Sequence, residues 1–141
     1  MKPRINVITL AVQDLHKSFD FYSKGLGWQS DGIVGEDIEN GAVAFFNLSN
    51  GLVMALWPKE SLLADAHLTE TQRAHTTTFS LGYNVNHKED VDAAINTAIK
   101  AGGTLVDAAQ DRTWGGYSGY FKDLDGHLWD VVFNPELNIE E

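Results

Sequence analysis

The sequence predicts an α+β fold built from two βαβββ modules, and three observations carry that expectation. The order strand, helix, three strands is read twice along the chain, the two final hairpins carry matching residues at one offset, and a polar stretch separates the copies. INVITLAV (5–12) alternates as a half-buried strand does. Asp14 then offers a side-chain cap for a helix whose apolar residues Leu15, Phe19 and Tyr22 recur at spacings of four and three, with Gly25 and Gly27 closing it. After Trp28 come a weak strand near Ile33–Val34, AVAFFNL (42–48), an SNG turn at 49–51 and LVMALW (52–57). These complete a first module, 1–58.

FSLGYNV (79–85) opens the second module, 77–141. Helical spacing at Val91, Ala94, Ile95, Ala98 and Ile99 ends at Gly102–Gly103, and TLVDAA (104–109), YSGYF (117–121), a DLDG turn (123–126) and HLWDVVF (127–133) follow. Phe46 and Gly51 fall on Phe121 and Gly126 at an offset of 75 (121 − 46, 126 − 51), and Val12 falls on Val85 at 73 (85 − 12). The intervening 59–76 reads as a polar linker with one short amphipathic piece around Leu62, Leu63 and Ala66.

With 141 residues the chain has the length of one domain, or of two small units sharing a core, which leaves no room for a separate cofactor domain. Twenty Asp and Glu against ten Lys and Arg give a formal charge of −10, which repels a phosphate backbone and excludes nucleic acid as a partner. An acidic surface favours cationic ligands instead. The N-terminal apolar run is short, alternating and interrupted by Asn6 and Thr9, so it reads as a strand and neither a signal peptide nor a membrane span. The absence of Cys excludes disulfides, thiolate zinc sites and Cys nucleophiles, and a cytoplasmic location is expected.

Splitting each strand into alternate rows locates a cavity. Ile8, Leu10 and Val12, and Phe79, Leu81, Tyr83 and Val85, form bulky rows that suit packing against the helices. The opposite rows hold the small residues Ala11, Ala55, Ser80 and Gly82 beside apolar walls, the composition of a small-molecule site. Because both rows of the last strands are substantially apolar, the sheets are expected to be covered on both faces.

ITLAVQDLHKSFDFYSKGLGW (8–28), NVNHKEDVDAAINTAIKAGG (84–103) and WGGYSGYFKDLDGHLWDVVFNP (114–135) together resemble the vicinal oxygen chelate superfamily, which groups glyoxalase I, bleomycin resistance proteins and extradiol dioxygenases. The resemblance covers nearly the whole chain, and its last stretch is similar to the GYF-x-DPDGHLWE-x-x-x-NP ending of many glyoxalase-like proteins of unassigned function, with Leu124 where that pattern has Pro. It implies curved mixed sheets around a shared cleft, helices on the convex face, and a homodimer. Metal-using members draw four ligands from positions that correspond here to Val7, Ala55, Ser80 and Asp130. Val and Ala have no donor atom and Ser is a poor ligand, whereas divalent transition metals need three or more protein donors. No metal and no other cofactor is therefore expected.

The five His residues, 16, 67, 75, 87 and 127, show no ligand-pair spacing, and His127 reads as a packed or hydrogen-bonded strand residue. No GxSxG elbow appears. The Trp114–Tyr117 loop has the composition of a flap over a cleft, and an aromatic wall with one carboxylate suits an organic cation. The sequence thus points to a metal-free protein that binds and sequesters a small aromatic or cationic molecule, in a cleft bounded by Trp57, Ser80, Asn84, Trp114, Tyr117 and Asp130. The alternatives are a lyase, isomerase or dioxygenase using Asp130 as general base or partial metal ligand, and an assembly or regulatory protein without turnover.

Overall fold

The computed structural model describes residues 3, 5–66, 80–113 and 115–139, and the chain divides into two compact units, Met1–Thr76 and Thr77–Glu141. The first contains β1 (Val7–Val12), α1 (Leu15–Asp20), β2 (Ile33–Val34), β3 (Val43–Asn47), β4 (Val53–Pro58) and α2 (Lys59–Ala66). The second contains β5 (Leu81–Val85), α3 (Lys88–Lys100), β6 (Thr104–Asp111), β7 (Tyr117–Lys122) and β8 (Leu128–Phe133). Each unit holds one four-stranded mixed sheet, ordered β1-β4-β3-β2 and β5-β8-β7-β6. The predicted α+β class and both βαβββ orders are what the structure has. Part of the polar segment expected as linker is helical, α2, which packs against β1 and β4; the remainder, 67–79, lies outside the described residues. Among the described residues no helix is long and apolar enough to cross a membrane.

The helices form where the sequence supplies their ends. Asp14 accepts a hydrogen bond from the Lys17 backbone N–H at 3.0 Å and so satisfies one of the open donors of the first turn. A π-helical turn, Phe21–Gly25, extends α1 and brings Phe19, Phe21 and Tyr22 together with Trp28 and Phe46, ring centroids 5.0–6.2 Å apart in the packed pairs. Gly27, at φ 75°, then turns the chain away. Helix α3 buries Val91, Ile95 and Ala98, one stripe at helical spacing, and Gly103 closes it by donating to the Ala98 carbonyl.

In both units the first and last strands pair in parallel and the last two strands form an antiparallel hairpin. Thr9 pairs with Ala55 and Gly82 with Asp130; Phe45 pairs with Ala55 and Tyr120 with Asp130. The offsets of 73 (82 − 9) and 75 (130 − 55, 120 − 45) are those read from the sequence, so the internal repeat holds residue by residue in the hydrogen-bonded register. Leu10, Val12, Ala44, Phe46, Met54 and Leu56 are buried on the α1 side of the first sheet. In the second, Val131 and Trp129 are buried on the α3 side, and a Cβ added to Gly119 would sit 2.7 Å from Ile95 Cδ1.

The β7–β8 turn is fixed by Asp123, which is 4% exposed. Its carboxylate accepts the backbone N–H groups of Asp125 (3.0 Å) and His127 (2.9 Å) and the His127 ring at 2.6 Å, while Gly126 takes φ 83°. Leu124, in place of Pro, leaves this turn intact. Asp123→Ala strands those donors and should destabilise the fold by about 2 kcal/mol, read as a lowered urea midpoint at unchanged m-value.

Candidate functional site

Side chains that share a register position across a sheet point to the same face. Gly82, Asp130 and Tyr120 therefore form one row on the face of the second sheet turned away from α3. In the first sheet the corresponding row is Thr9, Ala55 and Phe45, with no ionisable group. Of these two rows, the second alone holds ionisable side chains.

Asp130 is half-buried, and its Oδ1 is fully buried without a hydrogen-bond partner among the described residues. Burial raises its pKa above the ordinary carboxylate value, while the Tyr120 hydroxyl, as a hydrogen-bond donor, and the Arg112 guanidinium oppose the rise without cancelling it. Tyr120 is shifted up as well, by its own burial first and then by the Asp130 charge. Arg112 is held nearby at the start of the β6–β7 turn: its Nε donates to Ser118 Oγ at 2.8 Å, and its Nη2 to Asp107 Oδ2 at 2.8 Å and the Ser118 carbonyl at 3.0 Å. Gln110 Nε2 also donates to Asp107. Two register shifts in β6, between Leu105 and Asp107 and between Asp107 and Gln110, accompany this arrangement.

The residues singled out from the sequence separate into groups. Asp130 is central, and Asn84, exposed on β5 opposite Val132, shares its face. Ser80 is exposed just before β5. Trp57 belongs to the first unit, where its indole N–H donates to the Asn40 carbonyl at 3.0 Å. Trp114 lies outside the described residues. Tyr117 is the first residue of β7, in the row of Gly119, and its hydroxyl donates to Asp92 of α3 at 2.9 Å. That bond is the main reason its pKa is raised, and it holds the ring on the helix face, away from Asp130.

Tyr120 and Arg112 were not singled out. The offset of 75 contained the signal for Tyr120, since it maps Phe45–Phe46 onto Tyr120–Phe121, and Phe46 is core. Arg112 carried no signal, because the irregular register of β6 defeats strict alternation.

The donor set does not fit a transition metal. Val7 and Ala55 offer no donor atom, Ser80 is exposed outside its strand, and Asp130 contributes one carboxylate. Among the described residues, the donor groups close enough together for an ion are Asp123, Asp125 and His127, and there Asp123 is already spent on the turn.

A carboxyl whose pKa is raised on folding binds its proton more tightly in the native state, so native Asp130 opposes folding where it is ionised. Its contribution is most favourable below the unfolded value of about 3.9 and is lost as pH climbs through the raised native value. Asp130→Asn removes this term. The Tm of the variant minus that of the native protein should therefore be larger at pH 7.5 than at pH 4, in thermal unfolding followed by circular dichroism; a difference flat in pH contradicts the assignment.

Comparison with known proteins matches these features. A glyoxalase-related enzyme from Fulvimarina pelagi is 32% identical, with 99% of this chain and 94% of that one covered and a TM-score of 0.83. The fosfomycin resistance protein FosX from Listeria monocytogenes, 22% identical with 95% of each chain covered and a TM-score of 0.68, shares the fold. An uncharacterized protein of Mycobacterium bovis is 41% identical over 54 residues, 37% of this chain and 35% of that protein, so the match spans about a third of the curated relative's length. The family model of the glyoxalase/bleomycin resistance protein/dioxygenase superfamily matches residues 4–131, across both βαβββ units, and the chain belongs to that superfamily.

Proposed function

We propose that this protein binds a small organic molecule without a metal, on the face of the second module's sheet turned away from α3, with Asp130 as the anchoring group. The observation that carries this reading is the buried Oδ1 of Asp130, without a hydrogen-bond partner among the described residues, in a row whose next position is a bare glycine. A buried charge without full pairing is costly, and a ligand that brings a positive charge to the accessible side of the carboxyl offsets part of that cost. The formal charge of −10 draws cations toward such a site. Tyr120 supplies an aromatic wall with a polar tip, and Arg112, bound to Asp107 and Ser118, borders the same carboxyl. Sequestration of an aromatic or cationic compound is the function in keeping with the bleomycin resistance proteins of the superfamily.

A second reading has its own observation. A carboxyl with a raised pKa beside a tyrosine hydroxyl is equipped to accept a proton from a bound substrate. The Fulvimarina pelagi relative is described as a glyoxalase-related enzyme.

Two measurements test the main reading. Elemental analysis of protein purified without metal resin or chelator should find no stoichiometric transition metal, and full occupancy by one overturns metal-free binding. In a thermal-shift panel of organic cations and aromatic amines, hits should lose affinity by tenfold or more in Asp130→Asn, the effect of deleting a charge-assisted hydrogen bond of about 1.5–3 kcal/mol. Turnover of the hits with Asp130-dependent rates favours the enzyme.

A further inference from the structure

Glycine inside a strand weakens it, because the bare backbone loses more freedom on folding and packs nothing. The two glycines within strands of the second sheet differ in why they are there. In β7, a Cβ on Gly119 would lie 2.7 Å from Ile95 Cδ1 and 2.8 Å from the Ala109 backbone N, so packing demands a glycine. In β5, a Cβ on Gly82 would meet nothing within 4 Å, and the backbone there is not left-handed. Neither conformation nor packing requires glycine at 82. Its counterpart in the first module is Thr9, a β-branched residue of the kind strands favour.

What distinguishes Gly82 is its neighbour. It pairs in register with Asp130, and Asp130 pairs with Tyr120. Across three strands spaced about 4.8 Å apart, this row presents a flat backbone floor, a half-buried carboxyl whose inner oxygen has no hydrogen-bond partner among the described residues, and a half-buried phenol. The floor, carboxyl and wall together span about 10 Å, the width of one aromatic ring and a substituent.

We infer that Gly82 opens a slot beside Asp130 which admits a flat, N–H-bearing group, so that the site selects planar amidinium or amino-heteroaromatic ligands over bulky ones. The inference rests on the proposed binding role of Asp130 and adds its shape selectivity. The planar group lies on the exposed peptide of Gly82 and points its N–H toward the Asp130 carboxyl, with the Tyr120 ring standing beyond that carboxyl on the next strand. A side chain at 82 occupies the position of the ring. Gly82 is thus a specificity-determining position, and its exposed strand context leaves the fold tolerant of replacement.

The test uses benzamidinium as the planar probe and tetramethylammonium as the bulky one, titrated at constant ionic strength into the native chain, Gly82→Ala, Gly82→Val and Asp130→Asn. Benzamidinium should bind the native chain at least tenfold more tightly than tetramethylammonium. Gly82→Val should lose tenfold or more in benzamidinium affinity and Gly82→Ala a smaller part, while the ligand-free Tm of both stays level or rises. Equal binding of both cations, weakened by Asp130→Asn and untouched at position 82, overturns the slot and leaves the Asp130 site standing. A fall in Tm on both Gly82 replacements also overturns the slot, by showing that protein atoms fill the space. Indifference of both probes to Asp130→Asn overturns slot and site together.

Discussion

Everything distinctive in each module depends on one constraint, the parallel pairing of its first strand with its last. Parallel neighbours cannot be joined by a tight turn, so the chain must cross over and return through intervening elements. Here the crossover carries a helix, and the helix covers one face of the sheet it spans. The same pairing sets Gly82 against Asp130 and Thr9 against Ala55, residues nearly fifty positions apart in the chain. A shift of one residue in that register would turn Asp130 into the core and Val131 outward. The aromatic cluster around Tyr22 and Phe46 in one module, and the Val91, Ile95 and Val131 core in the other, prevent that shift.

The fold was legible because its signals are local and periodic. Leu15, Phe19 and Tyr22 mark a helix by spacing alone, Asp14 and Gly27 mark its ends, and DLDG marks a turn through the chemistry of Asp and Gly. The repeat was legible because two hairpins kept their offset from strand to turn. The Lys59–Ala66 helix was not, since its few apolar residues sit in a polar context and its support comes from contact with β1 and β4.

The site was legible in part, for a physical reason. A residue's face follows from its strand parity, and parity is secure where strands are regular, as for Asp130 and Asn84. It fails where a strand boundary is misplaced or a bulge intervenes. Tyr117 stands where the Trp114–Tyr117 loop meets β7, and Asp92 of α3 draws it to the helix side. Arg112 reaches the neighbourhood of Asp130 after two irregularities in β6, a route that no periodicity encodes. That Val7 and Ala55 offer no donor atom, by contrast, needs only residue identity, because such a side chain cannot ligate in any register.

The duplicated row has a consequence for how such a molecule changes over generations. Thr9, Ala55 and Phe45 occupy in one copy the stations that Gly82, Asp130 and Tyr120 occupy in the other, and in both copies the residues that hold the sheet to its helix lie on the reverse side. The row turned from the helix and the row packed on it are thereby written on alternate letters of the same strands. A lineage can rewrite the letters of the far row in either copy while the structural ones stay untouched, and the two copies are free to drift apart.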